Sequence, residues 1–286
     1  MKTFIILGGS SQLATCIKTL VNDSSEHIFL FLSSQQVDIT DLQQLRSIFN
    51  IYRPQVVINC AAYTAVDQAE EETEKAESVN GKAPADIARC CREYGALLIH
   101  ISTDFVFDGS KTAPLTEMDQ TNPLSVYGRT KLDGERGILE NWEKSIIIRT
   151  SWLYSEYGHN FVKTMLRLGK EREKIGVVVD QIGTPTYAMD LASLILKISD
   201  SDNFEYGVYH FSNEGVASWY DFAHAIFSLS KMTLQLTPLH STQFPTKAKR
   251  PAFSVLDKSR IKRTFFITIP HWHDSLSICL KNINNL

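Results

Sequence analysis

A chain of 286 residues, 43% hydrophobic and 21% charged, has the composition of a globular protein and the length of one large or two modest domains. Its 29 Lys and Arg against 32 Asp and Glu leave a net charge of −3, without the basic excess of a non-specific nucleic-acid binder. No run approaches the ~18 apolar residues of a membrane span, and the apolar run after Thr3 is shorter than the ~7–15 of a signal-peptide core. Five cysteines without a Cys-x-x-Cys pair argue against a disulfide framework or a metal site, so a cytoplasmic protein without metal is expected.

Strands and helices alternate through the first half. Residues 4–7 read as a buried strand, 12–21 as a helix, 28–32 as a strand and 41–52 as a helix with Leu42, Leu45, Ile48 and Phe49 on one face. Residues 56–58 form a strand, 71–94 a helix, 97–101 a strand, 126–142 a helix and 146–148 a strand. The strands are continuous apolar runs, which marks strands covered on both faces. The predicted fold is therefore α/β, a doubly wound parallel sheet of Rossmann type with a smaller substrate-binding region. Beyond residue 150 the alternation loosens into a strand at 177–179, a helix at 188–198, a strand at 208–211, helices at 219–229 and 272–283, and a loop at 238–251. Residues 1–150, with 177–203 returning to them, make the predicted dinucleotide-binding domain; 151–176 and 204–286 make the substrate-binding region.

Gly8-Gly9-Ser10-Ser11-Gln12-Leu13-Ala14 follows the first strand and opens a helix. A pyrophosphate needs a tight turn, close backbone approach and the positive end of a helix, and these small residues permit it. The second strand ends in Ser33-Ser34, with neither the acid that holds a ribose hydroxyl nor an arginine for a phosphate, so NADPH and NADH both stay open. Asp38 and Ile39, slightly further on, are placed to contact adenine.

Tyr127 and Lys131 stand four apart on the helix at 126–142, which puts phenol and ammonium on one face. A cation there lowers a tyrosine pKa from ~10 toward the range of general acid catalysis. Thr103 closes the strand at 97–101, where ligands of open α/β sheets bind, and its hydroxyl can donate to a substrate carbonyl.

These features continue into longer strings. They are Asn59-Cys60-Ala61-Ala62-Tyr63-Thr64-Ala65-Val66-Asp67, Ser102-Thr103-Asp104-Phe105-Val106-Phe107-Asp108-Gly109, Val126-Tyr127-Gly128-Arg129-Thr130-Lys131, Arg149-Thr150-Ser151-Trp152, Asp180-Gln181-Ile182-Gly183-Thr184-Pro185-Thr186 and Arg250-Pro251. With them the chain resembles the dTDP-4-dehydrorhamnose reductase family of extended short-chain dehydrogenases/reductases, from residue 1 to about Trp272.

The resemblance implies that Gly8, Ser10, Ser11, Gln12 and Leu13 line the coenzyme phosphates, Asp38 and Ile39 the adenine, and Ala61, Ala62, Tyr63 and Thr64 the nicotinamide side. It implies Tyr127 as proton donor, Lys131 on the nicotinamide ribose, Thr103 and Asp104 on the sugar with Trp152 beside it, and Asn160 and Arg250 at the nucleotide diphosphate. Glycine is usual in this family where the chain has Ser11 and Ala14, a departure that bears on coenzyme affinity. Thr15 stands near a position where some relatives place an acidic metal ligand, so no metal is implied.

Related 4,6-dehydratases place Asp-Glu after the catalytic threonine, whereas here Phe105 follows Asp104, which disfavours elimination. The implied reaction is NAD(P)H-dependent reduction of the C4 keto group of a dTDP-4-keto-6-deoxyhexose, by a monomer or homodimer. The alternatives are a reductase or epimerase of another sugar nucleotide and a non-catalytic regulatory subunit of the same fold.

Overall fold

The computed structural model describes residues 1–21, 26–201 and 205–285, so the predicted boundary at 203/204 lies outside the described residues. The first half runs β1 (Thr3–Leu7), α1 (Gln12–Leu20), β2 (Ile28–Leu32), α2 (Leu42–Tyr52), β3 (Val56–Asn59), α3 (Val66–Ala69), α4 (Thr73–Ala76), α5 (Ala83–Tyr94), β4 (Leu97–Thr103), α6 (Val126–Asn141) and β5 (Ser145–Thr150). The second half runs β6 (Leu153–Tyr154), α7 (Phe161–Glu171), β7 (Lys174–Val178), β8 (Ile182–Gly183), β9 (Thr186–Tyr187), α8 (Ala188–Asp200), β10 (Gly207–His210), β11 (Ala217–Ser218), α9 (Trp219–Leu229), β12 (Gln235–Leu239), α10 (Ser259–Phe265) and α11 (Trp272–Asn285).

Six parallel strands form the central sheet in the order β10-β5-β4-β3-β1-β2. The apolar runs are continuous because alternate residues feed two cores. Phe4, Ile6, Ile58, Ile99 and Ile148 pack with α1, α8 and α10 on one face. Ile5, Leu7, Val57, Leu98 and Ile147 pack with α2, α5 and Ile138 of α6 on the other. A third core gathers Val162, Ile175, Phe222, Ile226, Trp272 and Leu276 among α7, β7, α9 and α11. The predicted strand at 177–179 is β7, paired with β12 outside the central sheet, while α8 packs on that sheet against α1. Within the predicted substrate-binding region 204–286, β10 instead extends the central sheet beside β5 and α10 packs on it, because Tyr209, Ile261 and Phe265 join its core.

One predicted helix differs. Residues 71–94 do not run as a single α-helix: a π-helical segment, Glu77–Lys82, separates α4 from α5. Pro84, in the first turn of α5, has no N–H for the carbonyl of Asn80, so the regular ladder cannot pass through it. The detour serves the loop after β3, because Asn80 accepts from Tyr63 N and donates to Tyr63 O, both at 2.9 Å.

Strand order reverses between β1 and β3, so their connections leave in opposite directions and open a crevice beyond their carboxyl ends. Gly8 follows β1 and Cys60 follows β3 at that point.

Candidate active site

A cavity of about 870 Å³ fills the crevice. It is lined at one end by Gly8, Ser10, Ser11, Gln12, Leu13, Asp38 and Ile39, and in the middle by Ala61, Ala62, Thr64, Tyr127 and Lys131. Thr103, Asp104, Trp152 and Arg250 line the remainder. Tyr63 and Asn160 are not among the lining residues. Tyr63 is turned toward Lys75, whose ammonium lies 5.3 Å from its ring centroid. Asn160 caps α7, accepting from Lys163 N at 3.1 Å and donating to Ser155 O at 2.7 Å.

At the phosphate end, the turn is carried by Gly8. Its φ is +73°, and a Cβ there would lie 2.6 Å from Ala61 N, so the strand ends of β1 and β3 can approach only with glycine. Ser11 needs no such freedom: its φ is −69°, and its hydroxyl caps α1 by accepting from Ala14 N at 3.2 Å. Serine at that position therefore strengthens the helix entry instead of degrading it. The first-turn amides of Gln12 and Leu13 have no acceptor within the helix and belong to residues that face the cavity. Gln12 also ties this loop to the second half of the chain, donating to Leu153 O at 3.3 Å and accepting from Ser155 Oγ at 3.2 Å.

In the middle, α6 begins at Ser125, which accepts from Gly128 N at 3.2 Å, and Glu70 holds Val126 N at 2.9 Å. Gly128 lets α6 press against the turn after β4; a Cβ there would stand 2.2 Å from Phe105 O. That contact sets Tyr127 beside Thr103 and edge-on to Phe105, with ring centroids 5.7 Å apart.

The electrostatics depart from the sequence expectation. Lys131 is buried and donates to Ile101 O at 2.6 Å, so it is not directed at the phenol. Burial pushes Tyr127 up to about 12, a hydrogen bond with Thr103 pulls it back and the Asp104 charge adds to the rise. The phenol is thus a protonated donor at neutral pH, and Lys131 is not among the groups that shift it. Burial also pushes Lys131 down to about 8, against the attraction of Glu135 and Cys60.

Asp104 is 2% exposed, and its Oδ2 has no hydrogen-bond partner in the protein. Burial raises its pKa from 3.8 to about 6, and the hydroxyls of Ser254 and Thr103 offset this only in part. Between those two values the folded protein keeps a proton that the unfolded chain has lost, so the contribution of Asp104 to stability falls as pH rises from 3.8 to about 6 and then levels off. The loss amounts to about 3 kcal/mol. Asp104→Asn is expected to abolish it, which urea midpoints at about pH 4 and about pH 7 will read. An unchanged pH dependence would refute the assignment.

The far wall is only partly legible in the sequence. Trp152, left-handed at φ +47°, stacks on Trp219 with ring centroids 3.6 Å apart and 10° between planes. Trp219 lines the cavity too, but nothing local in the sequence connects α9 with the end of β5. Arg250 reaches across to α3, where Asp67 accepts two of its N–H groups at 2.7 and 3.2 Å and sits below its ordinary pKa because of them.

A dinucleotide-sized crevice at the strand-order reversal, a helix N-terminus at one end and a Thr–Tyr–Lys group at the other define a short-chain dehydrogenase/reductase. The chain matches the family described as RmlD substrate binding domain over residues 1–285. It is 43% identical to a dTDP-4-dehydrorhamnose reductase from Aggregatibacter actinomycetemcomitans, over 96% of this chain and 97% of that one. The crystal structure of a dTDP-4-dehydrorhamnose reductase from Clostridium acetobutylicum superposes with a TM-score of 0.95 at 40% identity, covering 99% of both chains. That of the Bacillus anthracis enzyme in complex with NADP superposes with a TM-score of 0.94 at 38% identity, covering 98% of this chain and 99% of that one. The chain belongs to this family, the dTDP-4-dehydrorhamnose reductases.

Proposed function

We propose that the protein reduces the C4 carbonyl of dTDP-4-dehydrorhamnose to the alcohol of dTDP-L-rhamnose, with NADPH or NADH as reductant. The observation that carries this reading is the placement of Thr103, Tyr127 and Lys131 on the same cavity as the N-terminus of α1. The donor set fits a dinucleotide: Gly8 allows the close approach, the first-turn amides of Gln12 and Leu13 suit a pyrophosphate, and Asp38 and Ile39 lie where an adenosine would end.

A bound nicotinamide coenzyme supplies the hydride. Tyr127 gives its proton to the C4 oxygen as negative charge develops there, and the Thr103 hydroxyl donates a second hydrogen bond to that oxygen. Lys131 holds the nicotinamide ribose beside Tyr127. Asp104, buried on the cavity wall, meets a sugar hydroxyl through the oxygen that has no protein partner. The Trp152–Trp219 stack forms an apolar wall for the sugar, and Arg250 faces the nucleotide diphosphate across the cavity. Asn160 acts through the 155–160 loop that it holds, and Tyr63 by its backbone, in place of the direct contacts expected of them.

In this reading residues 1–150, with α8 packed on their sheet, form the coenzyme-binding part, and the segments around Trp152, Trp219 and Arg250 hold the substrate. A monomer or a homodimer is the assembly we propose. Among the described residues no helix is long and apolar enough to cross a membrane. The five cysteines are unpaired, which suits the cytoplasm, where sugar nucleotides and reduced coenzyme are found.

The test is to mix the protein with dTDP-4-keto-L-rhamnose and NADPH or NADH, follow the loss of nicotinamide absorbance and identify the product by NMR. Formation of dTDP-L-rhamnose is expected. The C4 epimer, or no coenzyme oxidation at all, would overturn the reading.

A further inference from the structure

Asn59, His100 and Lys131 form a buried row beneath the catalytic face, at most 1% exposed. Its hydrogen bonds admit one consistent assignment. Asn59 Oδ1 accepts from Ala61 N at 3.1 Å, so the amide cannot turn over without setting two donors against each other. Its Nδ2 therefore donates to His100 Nδ1 at 3.0 Å, which leaves that nitrogen bare and puts the ring proton on Nε2. Nε2 lies 3.3 Å from Lys131 Nζ. An ammonium has no acceptor to offer this N–H, whereas an amine accepts it on the lone pair and still donates to Ile101 O at 2.6 Å.

We infer that His100, its tautomer set by Asn59, is a positioning residue that favours the neutral amine of Lys131 over its ammonium. Protonation of Lys131 sets an ammonium against the His100 N–H and drives Nζ toward the cavity that Lys131 lines. The other ionisable groups acting on Lys131 are Glu135, one turn along α6, and Cys60 after β3, and both favour the ammonium. Glu135 is shared with Arg149 and Ser102, and Lys131 is the one ionisable group that acts on His100. Burial works on Lys131 in the same direction as His100.

NMR of 15N-histidine- and 13C-lysine-labelled protein without coenzyme tests this. His100 should stay in the neutral Nε2–H tautomer from about pH 6 to about pH 9. Asn59→Asp keeps an acceptor for Ala61 N but turns the partner of His100 Nδ1 into an acceptor, which reverses the tautomer. The Lys131 ionisation should then rise by about one unit or more. The new carboxylate also acts on Lys131 directly, so the same substitution is made with His100→Phe, where the rise should fall by about half or more. An Nδ1–H tautomer in the wild type overturns the inference, as does an equal rise with and without His100. If Asn59→Asp does not fold, the wild-type tautomer decides alone. Only the kinetic arm rests on the proposed function: the basic limb of the pH–rate profile should move with the Lys131 ionisation. No reduction at all, with the expected tautomer present, counts against that function and leaves this inference standing.

Discussion

Tyr127→Phe is expected to lower kcat by about two to four orders of magnitude, the contribution of a positioned general acid. The substitution removes one hydroxyl and little else. The ring keeps its edge contact with Phe105, and α6 keeps its Ser125 cap. The phenol is half-buried and pushed up to about 12, so its loss also relieves a polar group held out of water. Folding stability should therefore stay within about 1 kcal/mol of wild type, and the effect should fall on kcat far more than on coenzyme binding. Pre-steady-state reduction together with a coenzyme titration measures both. Turnover within about threefold of wild type would remove Tyr127 from the chemistry and leave Thr103 or Asp104 as the donor.

Arg149→Leu is expected to destabilise the fold by about 3–5 kcal/mol. Arg149 on β5 and Glu135 on α6 are a two-pronged pair, with Nε 3.0 Å from Oε1 and Nη2 2.7 Å from Oε2, at side-chain exposures of 5% and 2%. Ser102 donates to the same carboxylate, and Phe107 lies under the guanidinium at 5.2 Å. Without Arg149 the Glu135 charge is left in a buried site, which costs more than the pair itself contributes. The double variant Arg149→Leu/Glu135→Leu should regain most of the loss, because no charge is then stranded. Urea unfolding of the three variants completes the cycle once Glu135→Leu is included. A loss below about 1 kcal/mol in Arg149→Leu would mean that water reaches Glu135. The pair also braces the site, since Ser102 stands next to Thr103, so coenzyme-dependent activity should fall in the single variant and recover in the double.

The phosphate loop shows how far local sequence carries. Gly8 is legible because a strand-to-helix turn with close approach needs glycine, and the structure places it at positive φ against Ala61. Ser11 is misleading for the same reason. Glycine is expected by pattern, yet φ at this position is −69° and the side chain is a helix cap. The Tyr127–Lys131 spacing correctly put both groups on one face, but spacing says nothing of where an ammonium finds its acceptor. Here that acceptor is the Ile101 carbonyl on a neighbouring strand, so the expected effect on the phenol is absent. The resemblance places Asn160 and Tyr63 on the cavity, whereas the one is spent on capping α7 and the other faces Lys75.

The sequence by itself determined the α/β class, strands β1 to β5 of the central sheet and the residue types of the reducing end, because apolar periodicity and turn chemistry are properties of adjacent residues; that β10 joins the same sheet beside β5 was decided by the tertiary structure. Only the tertiary structure decided which side chains meet: Trp219 with Trp152, Gly128 with the Phe105 carbonyl, and His100 with both Asn59 and Lys131. Those contacts join segments far apart in the chain, and burial then sets the protonation of Asp104, Tyr127 and Lys131. Desolvation is a property of the packed surroundings and leaves no mark in local sequence.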